Sequence, residues 1–443
     1  MEVCIVGGGI IGLATAWYLR QTGHSVCVVE SRDAVGLGAS RANGGQLSYR
    51  YIAPLADPAL FSGFPHWLFG RDAAVRLRPR LDRAQWRWLL AFLGACNHRD
   101  RAASIAALAQ LARYSRQLVG GLAADPRFDF GWRRNGKLIV YRERRAFESA
   151  RRGLAPAATD DAPQCVLDVP ACCRLEPALA RVASQLIGGI FTPDEEVGDC
   201  LALCRAFERS LRAGESPARI LLSERAQSIE LSRGRFRSVR TDRRRIEADA
   251  CVIANGVLAT GLLRPLGIDL PLYPLKGYSI SPKVVRDEGV PTVSVTDQYR
   301  RMVYARVGDR LRVAGMADIV GYDESAHAGR IAALTRETEA WFGAAVDLSD
   351  LQPWAGLRPA TPDGKPIIGA SGIEGLWLNV GHGALGFTLA AGSGGLLAAQ
   401  LAGSDLPLPD SVFAIRQAAP ASARGAAGAR DLRRCRSAEA GNR

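Results

Sequence analysis

The sequence predicts an α/β protein of two domains: a Rossmann-like dinucleotide-binding domain and an α+β domain built on an antiparallel sheet. Three observations predict it. The chain opens on a strand, a glycine triad and a helix in one register, from Glu2 to Glu30. Two later apolar strands, Ala248 to Gly256 and Gly375 to Val380, also lead into glycine, which suggests that the opening sheet is completed late in the chain. Between them, Leu275 to Pro282, Thr292 to Val295, Arg301 to Arg306 and Arg310 to Gly315 are short strands of alternating character, suited to a separate antiparallel sheet. With 443 residues, 48% of them hydrophobic, the chain exceeds one ordinary domain.

The opening unit carries the strongest signal. Val3 to Val6 form a buried strand, and Gly7, Gly9 and Gly12 follow as G-x-G-x-x-G. The first glycine makes the turn, the second lets backbone approach a pyrophosphate, and the third lets helix and strand pack closely. With Val6, Ile10 and Ile11 around them, these glycines are the candidate dinucleotide cradle. The helix N-terminus offers free N–H groups and partial positive charge to phosphates. A second strand ends at Glu30, placed to accept from a ribose 2′-hydroxyl, which argues against a 2′-phosphorylated cofactor.

Gly36 to Ser48 is a polar, glycine-rich loop. Arg41 is a candidate to neutralise phosphate, and Ser40 and Asn43 to donate to phosphate or ring. Gly44, Gly45 and Gln46 let backbone run close to a flat ligand. The alternative is a surface loop. Tyr51 to Arg99 mixes Phe61, Phe64, Trp67, Leu68 and Phe69 with many arginines. Leu81 to Leu93 reads as an amphipathic helix, either an ordinary core helix or one that meets a membrane interface. Ser104 to Ala123 reads as a plain surface helix and Gly136 to Arg142 as a strand. Leu186 to Phe191 is a strand, Thr192 to Asp194 a turn, and Asp199 a cap for a helix from Leu201 to Arg212. Glu324 to Phe342 reads as a polar helix.

The last third holds the remaining chemistry. Arg358 stands among apolar and proline-restricted residues, where a guanidinium needs an anion. It holds either a ligand carboxylate or a structural ion pair. Gly381 to Thr388 is a glycine loop entering a small-residue helix that runs to Ala402, and His382 is the one histidine set in a motif.

The formal charge of +13 is almost all arginine, partly gathered in a basic tail over 413–443 that reads as disordered. No basic face with interleaved aromatics appears, which argues against nucleic acid. The cysteines show no metal-ligand spacing and suit a reducing cytosol. No signal peptide precedes the first strand, and no uninterrupted apolar run of about 18 residues predicts a membrane-spanning helix. The expected location is cytoplasmic, with peripheral contact on the inner face of the cell membrane if Leu81 to Leu93 meets lipid.

VCIVGGGIIGLATAWYLRQTGHSVCVVE, SRANGGQLS, YPLKGYSI, LRVAGMADIVGYD, GLRPATPDGKPIIG and LWLNVGHGALGFTLAAGSGGLL stand here in order. Together they resemble the D-amino-acid oxidase-like family of FAD-dependent oxidoreductases, and within it the bacterial D-amino-acid dehydrogenases of small-subunit type. The resemblance implies a discontinuous FAD domain (1–60, 192–262 and 350–412) covered by a substrate domain (61–191 and 263–349). It implies FAD rather than NAD and oxidative deamination of D-amino acids, D-alanine among them, by hydride transfer to flavin N5. Electrons would pass to a quinone or another respiratory acceptor. Glycine, sarcosine or hydroxyproline oxidation is the neighbouring alternative. By motif, Arg358 holds the substrate carboxylate. Gly381, His382, Gly383, Gly386 and Thr388 lie along the flavin pyrimidine edge, and Gly256 also contacts the cofactor. Asn255 departs from the small or apolar residue more usual before that glycine. Tyr278 and Tyr304 are candidates to line the substrate pocket, and equally plausible core residues.

Overall fold

The computed structural model describes residues 1–58, 74–154, 164–214 and 216–415. The tail from 416 and the aromatic residues Phe61, Phe64, Trp67, Leu68 and Phe69 lie outside them.

The chain starts as β1 (Glu2–Val6), α1 (Ile10–Gln21) and β2 (Ser25–Val29). It then crosses to a second layer as β3 (Val75–Leu77), α2 (Arg83–Ala95), α3 (His98–Ala124), β4 (Lys137–Tyr141) and β5 (Gly188–Thr192). It returns with α4 (Cys200–Arg212), β6 (Arg219–Leu221) and β7 (Ala250–Ile253). It crosses again with β8 (Tyr273–Ile280), β9 (Ser294–Asp297), β10 (Met302–Val307), β11 (Arg310–Ile319), α5 (Ala328–Phe342) and β12 (Trp354–Ala360). It closes with β13 (Ile367–Ala370), β14 (Leu376–Val380) and α6 (Gly386–Ala402).

The first sheet has six strands in the order β13-β14-β7-β1-β2-β6. It is parallel except for the β13–β14 pair. Its strands are buried on both faces, which is why they read as continuous apolar runs. The late strands β7 and β14 do complete the sheet that β1 begins. The second sheet has eleven strands, with β12-β8-β11-β10-β9-β4-β5 as its central ladder. It is mixed rather than antiparallel throughout, because β4 pairs with β9, and β3 with β11, in parallel.

Two segments differ from the sequence division. Residues 350–412 include β12, which pairs with β8 from Tyr273↔Ala360 to Ser279↔Trp354, so Arg358 stands in the mixed sheet. Residues 61–191 include α3, which is no plain surface helix. Its Leu108, Leu111 and Ala112 are buried in one core with Leu13 of α1 and Leu396 of α6. Small residues permit the contact: a Cβ on Gly392 would lie 2.8 Å from that of Ser115 on α3, and one on Gly394 2.9 Å from the α1 backbone. The stretch Gly383–Ala402 is long and apolar enough to cross a bilayer, yet 67% of an apolar 18-residue window within it is buried inside the protein. It is a core helix.

Candidate active site

A cleft of about 1150 Å³ separates the two sheets. Gly7, at φ +116°, cannot carry a side chain, since a Cβ would lie 2.7 Å from the Ala254 carbonyl oxygen. Gly12 lies outside the cleft and serves packing, because its Cβ would overlap the Gly7 oxygen. Gly9 faces the cleft, and nothing comes nearer its missing Cβ than Ser40 Oγ at 3.5 Å. Val6, Ile10 and Ile11 line the same wall. Ser40 Oγ accepts from the Ile10 N–H at 3.1 Å, so it orders the helix entrance. Glu30 lines the cleft with its carboxylate accepting from the Gly8 N–H at 2.7 Å and the Arg32 N–H at 2.9 Å.

The loop after β2 is stapled to the mixed sheet. Ser279 Oγ donates to the Ala42 carbonyl at 2.7 Å, and Arg312 Nη1 to the Asn43 carbonyl at 2.8 Å. Asn43 Oδ1 accepts from the Gly45 N–H, and Gln46 Nε2 donates to Ser294 and Thr296. Asn43, Gly44 and Gln46 line the cleft; Gly45 does not, and Arg41 is exposed outside it.

At the other wall Gly256, His382, Gly383, Gly386 and Thr388 line the cleft, while Gly381 lies behind it. Gly386 begins α6 directly after the turn Gly383–Leu385, and no side chain caps it. Thr388 Oγ1 accepts from the Ser48 N–H at 3.1 Å. Both ring nitrogens of His382, and Oδ1 of Asn255, are buried without a partner among the described residues. Burial pushes the His382 imidazole down to about 3, so it is neutral at ordinary pH.

Arg358 lies against the backbone of β8, where a Cβ on Gly277 would overlap its guanidinium. Its Nη1 donates to the Met316 carbonyl at 2.9 Å, and no carboxylate pairs with it among the described residues. Burial lowers its pKa, but a guanidinium keeps its charge in proteins. Tyr278 lines the cleft, with its hydroxyl donating to Asp318 at 2.8 Å. Asp318, fully buried, also takes Arg76 at 2.6 Å and Arg330. Burial raises its carboxyl, but the Arg330 and Arg76 guanidiniums outweigh this and hold it below the usual range. Tyr304 does not line the cleft. It is fully buried, stacked on Trp341 with ring centroids 4.7 Å apart, so of the two tyrosines it is the core residue.

Residues that sequence reasoning missed also reach the cleft. Lys137, at the start of β4, donates to Ser48 Oγ at 2.8 Å and lies 4.6 Å from the Tyr51 ring. Burial pushes it down to about 8, opposed by Glu195. Arg301 enters from the turn before β10. The buried acids after β5 hold this corner: Glu195 accepts from the Tyr49 and Arg50 N–H groups, and Glu196 from Tyr49 and Trp132. Among the described residues no acid, histidine and cysteine cluster could hold a metal.

An open glycine cradle at a helix N-terminus, an acid at the end of β2, and unpartnered polar atoms on the facing wall fit an adenine-bearing flavin. The fold and cleft define a flavin-dependent oxidoreductase. The profile of the DAO family, described as FAD dependent oxidoreductase, matches residues 2–400, and the chain belongs to that family. It is 48% identical over 407 residues to D-amino acid dehydrogenase 2 of Ralstonia nicotianae, covering 90% of this chain and 96% of that one. It is 47% identical over 401 residues to D-amino acid dehydrogenase 2 of Pseudomonas aeruginosa, covering 90% and 94%. Among solved structures, glycine oxidase from Geobacillus kaustophilus has the same fold, with a TM-score of 0.73 at 20% identity over 94% of this chain and 98% of that one.

Proposed function

We propose that this chain is a FAD-dependent D-amino-acid dehydrogenase, producing 2-oxo acids and ammonia and passing electrons to a quinone or similar respiratory acceptor. The names of its relatives support the reaction. The observation that carries the reading is Arg358, a half-buried guanidinium in the cleft wall with one carbonyl partner among the described residues. Its planar fork suits a carboxylate in two bonds.

The bound flavin supplies a two-electron acceptor. Arg358 fixes the substrate carboxylate and thereby the direction of the Cα–H bond, within the roughly 3–3.5 Å that reaction requires. The substrate amine loses its proton before the Cα–H bond breaks, so that its lone pair assists. Tyr278 is not free to take that proton, because its hydroxyl is bound to Asp318. The N-terminus of α6 at Gly386 favours negative charge gathering on the wall it faces. Water then hydrolyses the imine to oxo acid and ammonia.

We place the enzyme in the cytoplasm, in peripheral contact with the cell membrane. Supporting this, α2 exposes Trp86 and Leu90, with Leu81 ahead of them and Arg83 and Arg87 beside them. Co-sedimentation with anionic vesicles, lost in a Trp86→Glu, Leu90→Glu double variant, tests the contact.

The reaction is tested by anaerobic flavin bleaching with D- and L-amino acids, glycine, sarcosine and hydroxyproline, then reoxidation by a quinone analogue or by air. D-amino acids should bleach the flavin and the quinone should restore it faster than air. Arg358→Met should lower kcat/KM by about ten- to a hundredfold or more, the worth of a charged hydrogen-bonded pair. Bleaching by glycine or sarcosine alone points to the neighbouring amine oxidoreductases.

A further inference from the structure

We propose that the cleft selects D-amino acids bearing a second carboxylate, the D-aspartate and D-glutamate class, with Arg301 holding the side-chain carboxylate while Arg358 holds the α-carboxylate. The inference rests on the reading of Arg358 given above.

Arg301 lines the cleft and is exposed into it. Among the described residues it has no hydrogen bond or ion pair. The one acid whose charge is felt there, Asp57, is already paired with Arg101 at 3.0 Å. The other charged groups at this end are also satisfied. Asp318 is shared by Arg330, Arg76 and Tyr278, and Lys137 is bound by Ser48 and Tyr51. Among the described residues, Arg301 and Arg358 both line the cleft with no carboxylate paired to either.

The backbone brings them together. Met302 pairs with Gly315, and Arg301 and Met316 are the residues next to that pair at the end of the ladder. Met316 is the residue whose carbonyl positions Arg358. Both take left-handed backbone, Arg301 at φ +52° and Met316 at φ +63°. For bulky side chains that conformation is uncommon and strained, and such strain gathers at ligand sites. Here it turns one arginine into the cleft beside the carbonyl that orients the other. A ligand with one carboxylate satisfies Arg358 and leaves Arg301 without a counter-charge. A ligand with two satisfies both.

The test compares D-glutamate with D-glutamine and D-aspartate with D-asparagine as reductants of the holoenzyme, in the parent and in Arg301→Met and Arg301→Lys. Flavin content reports that each variant is folded. The parent should prefer each acid over its amide by about tenfold or more in kcat/KM, the worth of one charge-assisted hydrogen bond. Arg301→Met should bring the ratio near one, and Arg301→Lys should keep part of it. In parallel, glutarate and butyrate are titrated into the oxidised holoenzyme and read by the flavin spectrum. Glutarate should bind more tightly in the parent only. Equal use of acid and amide by the parent, or a preference that survives in Arg301→Met, overturns the proposal. If no D-amino acid reduces the flavin, the proposed reaction fails, and the glutarate and butyrate titration alone decides the role of Arg301.

Discussion

Gly277 leaves room for the guanidinium of Arg358, and a methyl group there would take its place. A flexible side chain yields at its far end, so Gly277→Ala should keep the fold, with a melting temperature near the parent's. Its KM for amino-acid substrate should rise about tenfold or more as Arg358 is displaced. A variant that melts early with unchanged KM would count against this placement. His382 gives a pH prediction. Its folded pKa, about 3, is depressed by burial below the ordinary 6.5. The unfolded chain therefore binds the extra proton first on acidification. The contribution is fully present above about pH 6.5 and lost as pH falls toward 3. His382→Asn should flatten the acid limb of a pH–stability curve over that window. At this scale legibility was uneven. Arg358 was readable because a guanidinium between leucine and proline is out of place. Arg301 and Lys137 were not, since each reads as an ordinary charge at the edge of a strand. Tyr278 and Tyr304 could not be told apart, because strand alternation does not say which face meets a cleft and which meets Trp341.

Among the elements, α6 decides most. Gly394 lets it touch the α1 backbone, and Gly392 lets it touch α3. Ser115 of α3 donates to the Thr388 carbonyl at 2.6 Å and accepts from the Gly392 N–H at 3.1 Å. Gly394→Val should cost about 1–3 kcal/mol by overpacking, read as a lower denaturant midpoint. Because α6 starts at the cleft, looser flavin retention should accompany the loss. The small residues of 386–402 were enough to predict this helix. They also hid its partner: a contact made through glycine and serine leaves no bulky stripe, so α3 read as a surface helix. The cap of α4 was legible, since Asp199 accepts from Leu201 and Ala202 as its position implied. The acids Glu195 and Glu196 follow the expected turn without any sequence signal of their own, although Glu195 holds the backbone of Tyr49 and Arg50 beside Lys137.

At the scale of the whole molecule the two large sheets face one cleft, with a flavin expected to touch both. Removing it should lower the melting temperature, and added FAD should restore it in a concentration-dependent way, by about 2.7 kcal/mol at a hundred times Kd. A melting curve indifferent to FAD would contradict the cleft assignment. The parallel sheet was legible from three glycine-terminated strands. The domain limits were less so, because β12 resembles its sequence neighbours but pairs with β8. That pairing has a practical consequence. Tyr278, Arg301 and Arg358 all fall between Tyr273 and Ala360, in one excursion that leaves the parallel sheet after β7 and rejoins it at β13. On the proposed roles of the two arginines, substrate preference is carried as a cassette: grafting 273–360 into a relative of the same architecture transfers both together, along with Ser279, Ser294 and Arg312, which staple the loop of the cofactor cradle.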